Sequence, residues 1–304
     1  MNINRRQFAH TLGIGLAAPA VTNSIGAQLA TPEMYPDSAD VPYQLSVMLW
    51  TILRDLPFEQ RLEKVARAGY RNVELVGEYS KWNDEDFKRA IAKSKELGLR
   101  FDCTAGLKHS LTNPADRDGL VAEFRETLPI MERLQCPAMI VLTGNTVPGT
   151  TFDAQMESCV EGLKALARVV DGKKIAGEPV RLLLENIDPE ENPKYFLTSV
   201  ARGFDIVKAV NHPQVQFCYD LFHEQISEGN LIEKLQKNIQ HVGLVHVADV
   251  PGRHKPGTGE INYASIYRKL VELKYNHVVA MEFLPLGDPV EELRAARVMA
   301  LGTS

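Results

Sequence analysis

Four apolar runs in the second half of the chain each end in a side chain able to ligate a metal. The run from Val180 ends at Glu185 and Asn186, and the run from Val215 ends at Asp220. The run from Val242 carries His246 and closes at Asp249, and the run from His277 closes at Glu282 and Phe283. Glu185, Asp220, His246 and Glu282 are 35, 26 and 36 residues apart, close to the repeat of a strand–helix unit. A run that is apolar throughout marks a strand buried on both faces, as in a parallel sheet. In a closed parallel barrel all strands present their carboxyl ends on one rim, so the four side chains could converge. Three carboxylates at that spacing repel one another, and a divalent cation between them removes the penalty. The bland alternative, ordinary polar residues where strands meet loops, must recur at the same place in four successive repeats.

Other residues fall near the same rim. His223 follows Asp220 by three positions, where its imidazole could hydrogen-bond a substrate oxygen or simply sit on a surface loop. The loop from Asp249 to Tyr263 is rich in turn formers and cations, and either Arg253 or Lys255 could pair with a substrate carboxylate or phosphate. Within it Gly257-Thr258-Gly259 is a common turn triplet, and Asn262 suits a helix cap. Glu74, Lys108, His109 and Asn145 lie at or after earlier strands and read individually as loop or wall residues. No nucleophile elbow is present to carry acyl transfer.

The elements that must position these groups alternate along residues 43–304. Predicted strands cover 44–50, 72–76, 99–104 and 138–142, followed by the four ligand-bearing runs. Predicted helices cover 56–68, 84–97, 114–134, 153–170, 193–210, 231–239, 263–273 and 289–299. Gly203 weakens the middle of the fifth. Eight strands alternating with eight helices predict a single (β/α)₈ barrel. An open doubly wound sheet would need a glycine turn after its first strand, and Trp50-Thr51-Ile52-Leu53-Arg54 has none.

The 304 residues, 44% hydrophobic, suffice for one such core. A net charge of −5 with no basic stripe argues against a nucleic-acid partner. No apolar run reaches the length of a membrane span. Cys103, Cys136, Cys159 and Cys218 lack metal-type pair spacing and read as free thiols. Residues 1–30 have a different character. Arg5-Arg6-Gln7-Phe8, a short apolar stretch and small residues up to Ala27 and Ala30 form the layout of a cleaved, twin-arginine-type export signal. Residues 31–42, with Pro32, Pro36 and Pro42, read as a tether. The expected location is the periplasm or beyond, by the twin-arginine route.

Residues 41–304 resemble the hydroxypyruvate isomerase family of the xylose-isomerase-like TIM-barrel superfamily. The resemblance is carried by Tyr219-Asp220-Leu221-Phe222-His223-Glu224-Gln225 and by the segment from Ala248-Asp249 through Pro256-Gly257-Thr258-Gly259-Glu260-Ile261-Asn262-Tyr263. It implies a divalent metal on Glu185, Asp220, His246 and Glu282. It also implies proton transfer by Glu185 and Glu282, and substrate orientation by His223 and Arg253. Two positions depart from the pattern. Where those isomerases have Gln-Ile-Ala-Asp, this chain has His246-Val247-Ala248-Asp249, which is more like the ketose 3-epimerases. Glu185-Asn186-Ile187-Asp188-Pro189 also lacks the Pro-Ile-Asn that follows the first glutamate in the family.

A ligand set of mostly oxygen donors suits Mn²⁺ or Mg²⁺, with Co²⁺ also admissible. The expected chemistry is isomerisation of a small hydroxy-carbonyl compound or sugar by enediolate proton transfer, most like hydroxypyruvate to tartronate semialdehyde. Alternatives are a ketose 3-epimerase, a metal-dependent hydrolase or lyase, and a non-catalytic sugar-binding barrel. Homo-oligomerisation stays open.

Overall fold

The computed structural model describes residues 41–302. The expected export signal and all but the last two residues of the expected tether lie outside the described residues. Eight parallel strands form a closed barrel: β1 (Gln44–Met48), β2 (Asn72–Val76), β3 (Arg100–Ala105), β4 (Ala138–Leu142), β5 (Arg181–Glu185), β6 (Val215–Asp220), β7 (Val242–Val247) and β8 (Val278–Met281). Each strand pairs with its neighbours in chain order, and β8 closes the ring against β1. Lys174–Ile175 and Glu178–Pro179 form a separate antiparallel ribbon ahead of β5. The helices are α1 (Phe58–Arg67), α2 (Asp84–Glu96), α3 (Arg117–Leu134), α4 (Phe152–Val170), α5 (Val200–Val210), α6 (Leu221–Ser227), α7 (Leu231–Asn238), α8 (Tyr263–Glu272) and α9 (Pro289–Leu301). No described helix is long and apolar enough to cross a membrane.

Period-two alternation explains why the strands read as continuous apolar runs. On β5, Leu182 and Leu184 join the core between sheet and helices, while Leu183 joins the barrel interior. On β6, Phe217 and Tyr219 face the helices and Cys218 faces inward. On β7, Val245 faces the helices and Leu244 faces inward. Beyond the polar strand starts at Arg181 and Gln216, both faces are apolar up to the inward position where Glu185, Asp220 and His246 stand. The interior layer of Met48, Cys103, Ala138, Ile140, Leu183, Cys218, Leu244 and Ala280 plugs the barrel below them. All four cysteines are buried and unpaired.

Two helices differ from the sequence expectation. The fifth begins at Val200 rather than at Pro193. Residues up to Ser199 form a loop, and the Ser199 side chain accepts from the Arg202 N–H to start the helix. Gly203 in its middle is a packing requirement, since a Cβ there would lie 2.2 Å from the Phe217 ring on β6. An additional helix, α6, begins immediately after Asp220. The Asp220 Oδ1 accepts from the N–H groups of Phe222 (2.7 Å) and His223 (3.2 Å), so this residue caps α6. His223 thus sits in a first helical turn, not on a surface loop. The third helix is entered through a 3₁₀ turn at Pro114–Asp116.

Candidate functional site

Strand register lifts the four polar groups to one place. Glu185 pairs with Cys218, so Asp220 stands two residues further along; Asp220 pairs with His246, and His246 pairs with Ala280, two residues before Glu282. This stagger is the shear that a closed barrel requires. Ligand atoms of Glu185, Asp220, His246 and Glu282 all lie within 4.8 Å of one another. His246 Nδ1 is 2.7 Å from Glu282 Oε2, 3.2 Å from Glu185 Oε1 and 4.0 Å from Asp220 Oδ2. All four side chains are buried.

The donor set fits a divalent cation. Three carboxylates and an imidazole supply the oxygen-rich environment such ions take. Asp220 Oδ2 is buried with no hydrogen-bond partner, its nearest nitrogens being His223 Nε2 at 3.4 Å and Arg253 Nη2 at 3.5 Å. A buried carboxylate oxygen left without a donor is costly unless a cation satisfies it.

Electrostatics divides the two glutamates. Burial, followed by the neighbouring Glu282 and Asp220 charges, pushes the Glu185 carboxyl up despite His246. Burial also opposes ionisation of Glu282, but Arg253 and His246 outweigh it and hold that carboxyl below the usual range. Trp50 on the segment after β1 donates its indole N–H to Glu282 Oε1 and is only partly buried. Trp50, expected as the last residue of β1, lies beyond Met48, and an aromatic following an inward-facing strand end is the sequence signal for it.

Around the four clustered side chains lies a further layer of polar groups. His223 Nδ1 is 2.6 Å from Asp188 Oδ2, and Asp188 Oδ1 accepts from the N–H groups of Glu190 and Glu191. His223 Nε2 faces Asp220 Oδ2 at 3.4 Å. Burial lowers the His223 pKa, but Asp220 and Asp188 raise it above the ordinary value. Arg253 is 3% exposed and reaches Glu282 Oε2 (2.9 Å), Glu191 Oε2 (2.9 Å), Asp220 Oδ2 (3.5 Å) and His223 Nε2 (3.3 Å). Its guanidinium lies between the rings of Trp50 (5.2 Å) and Phe222 (5.0 Å). Asp188, Glu191 and His223 also group closely enough to hold an ion, with the Arg253 guanidinium paired to Glu191 there.

The loop carrying Arg253 is held from below. Asp249 accepts from the N–H groups of Val250, Gly257, Gly259 and Ile261. A Cβ at Gly259 would meet the Val250 carbonyl at 2.0 Å, which requires glycine. Arg253 itself has φ +57°, a left-handed backbone that non-glycine residues adopt at a cost. Of the two cations weighed in this loop, Arg253 enters the cluster, while the Lys255 ammonium reaches the Pro256 carbonyl. Asn262 caps α8 through the Ser265 N–H. Lys108, His109 and Asn145 line a separate part of the rim, along a cleft that Tyr195 borders. Glu74, read as a loop or wall residue, is instead fully buried inside the barrel with Oε2 2.9 Å from His246 Nε2.

Residues 62–298 match the family described as xylose isomerase-like TIM barrel. The chain belongs to that xylose isomerase-like family. It is 31% identical over 265 residues to a candidate hydroxypyruvate isomerase of Danio rerio, covering 81% of this chain and 91% of the relative. It is 27% identical over 248 residues to a 2-oxo-tetronate isomerase of Pectobacterium atrosepticum, covering 79% of this chain and 90% of that one. Among solved structures, the family 2 AP endonuclease of Brucella melitensis superposes with a TM-score of 0.74. There the identity is 24%, over 83% of this chain and 96% of the other, a likeness of fold alone.

Proposed function

We propose that this isomerase acts on a small 2-oxo acid carrying a neighbouring hydroxyl, with hydroxypyruvate the first candidate, and that it uses a divalent cation. The observation that carries the reading is the meeting of Glu185, Asp220, His246 and Glu282 within 4.8 Å beside the Arg253 guanidinium. The isomerase names of relatives matched over most of the chain support it. Glu185, Asp220, His246 and Glu282 would hold the cation. When bound, it supplies Lewis acidity that polarises a carbonyl and favours loss of a proton from the adjoining carbon.

The residues of the chain do the rest. Glu282, kept ionised by Arg253 and His246, takes a proton from the hydroxyl-bearing carbon. Glu185, on the other side of His246 Nδ1, returns a proton to the former carbonyl carbon. The hydroxyl proton passes to the other oxygen, so a ketone becomes an aldehyde with no external oxidant or reductant. Arg253 orients the substrate carboxylate, taking it in place of Glu191, the one partner of the guanidinium that is more than a third exposed. His223, fixed by Asp188, donates to a substrate oxygen.

A second reading is epimerisation of a ketose. It is favoured by His246, which stands where the resembling isomerases have glutamine. The discriminating experiment offers hydroxypyruvate, tartronate semialdehyde, a 2-oxo-tetronate and free ketoses to the Mg²⁺-loaded protein and follows proton NMR. Conversion of the oxo acids supports isomerisation, whereas turnover of free ketoses alone selects epimerisation.

A further inference from the structure

Glu74 is a fully buried carboxylate of the barrel interior and belongs to none of the groups close enough to share an ion among the described residues. It stands on β2, whose strand neighbours Val73 and Leu75 face the helices. The Glu74 side chain is fully buried, and its Oε1 has no hydrogen-bond partner. Among the described residues its side chain has one hydrogen-bond partner, His246 Nε2, 2.9 Å from Oε2. Burying a carboxylate with a single partner costs several kcal/mol that an apolar side chain on the same strand would not incur. Such a pair needs a reason in the chemistry of its partner.

That reason lies in the two ring nitrogens. His246 has carboxylates on both sides: Glu282 and Glu185 at Nδ1, and Glu74 at Nε2. A neutral imidazole carries one N–H and one lone pair, so it can offer only one of each. With the N–H on Nε2, it donates to Glu74 and turns the Nδ1 lone pair toward the four-residue cluster. The opposite tautomer would aim its N–H into that cluster and its lone pair at the Glu74 carboxylate, which repels it. We propose that Glu74 is a positioning residue that locks the His246 tautomer and ring orientation so that Nδ1 serves as a metal ligand. The inference rests on the metal reading given above. A carboxylate behind the imidazole also makes the ligand nitrogen more basic, and loss of such a partner typically weakens metal binding about 10–100-fold.

The test is a calorimetric Mn²⁺ titration of wild type and Glu74→Gln at one pH, with thermal melts of both. It is paired with ¹⁵N-histidine spectra of Mg²⁺-loaded wild type, assigned by His246→Asn. Expected are Mn²⁺ binding by wild type, binding roughly 10-fold or more weaker in a folded Glu74→Gln, and a His246 ring protonated on Nε2 and bare on Nδ1. Unchanged Mn²⁺ affinity in folded Glu74→Gln overturns the role of Glu74 while leaving the metal site intact, whereas a proton on Nδ1 of the Mg²⁺-loaded protein overturns both that role and His246 as a ligand. Absence of Mn²⁺ binding by wild type overturns the metal reading and this inference with it. If Glu74→Gln does not fold, the wild-type tautomer decides.

Discussion

Asp220 and His246 are register partners across β6 and β7, and their ligand atoms lie 4.0 Å apart, Oδ2 to Nδ1. The pairing is fixed by backbone hydrogen bonds, so neither residue needs a flexible loop to reach the other. Asp220 is committed twice: Oδ1 starts α6 by capping it, and Oδ2 is left buried without a hydrogen-bond donor. The first task holds the second oxygen in place.

Asp220→Asn keeps the size of the side chain and its capping oxygen but removes the charge. Divalent metal affinity should fall at least about 100-fold, beyond the range for loss of a supporting partner, with little change in melting temperature. Titration with Mn²⁺ checks this; equal affinities would remove Asp220 from the ligand set.

Arg253→Lys retains a positive charge but loses the planar fork that spans Glu191, His223 and Glu282 and lies between two rings. Steady-state kinetics on hydroxypyruvate should show kcat/KM lower by about 10²-fold, equivalent to roughly 2.7 kcal/mol of transition-state stabilisation. A kcat/KM matching wild type would mean that the guanidinium does not orient the substrate.

Burial pushes the Glu224 carboxyl from its ordinary 4.5 up to about 7, with Lys234 pulling the other way. In that window the folded chain holds a proton that the unfolded chain has released. The resulting stabilisation is complete below about pH 4.5 and is lost as pH rises through about 7. Glu224→Gln, which cannot ionise, should melt close to wild type near pH 5 and above it near pH 8. A melting-temperature difference that stays constant over that range would contradict the assignment.

Export by the twin-arginine route is proposed from Arg5-Arg6 and the apolar stretch after them. Changing both to lysine should leave the protein in the cytoplasm with its leader attached, as judged by fractionation and mass of the product. Normal periplasmic yield of a shortened chain would argue against a twin-arginine signal.

The four-residue cluster was legible because the middle of each β5–β8 run is apolar on both faces and a metal-capable side chain follows near its end. Glu74 was not, since it sits mid-strand between Val73 and Leu75. Alternation along β2 points it inward, but a buried carboxylate makes sense only once its partner, 172 residues away, is known. Asp188 was hidden in the same way: it lies beyond β5 in a loop, and only α6 brings His223 against it. The start of α6 was missed because a capping aspartate directly at a strand end leaves no loop to announce a helix. Pro193 was taken for a helix start, but the chain there bonds to the neighbouring rim loop, Thr146 N–H to the Lys194 carbonyl and Phe196 N–H to the Gly144 carbonyl.

Under the proposed function, the cluster of Glu185, Asp220, His246 and Glu282 moves a carbon-bound proton. Mg²⁺-loaded wild type and Glu282→Gln, incubated with hydroxypyruvate in heavy water, test it by mass spectrometry and proton NMR. Wild type should place deuterium on carbon in product and recovered substrate, and Glu282→Gln should do so at least about 10²-fold more slowly while remaining folded. Equal deuterium uptake by the two proteins, or product formed by wild type with no solvent deuterium and no dependence on Glu282, would contradict the account.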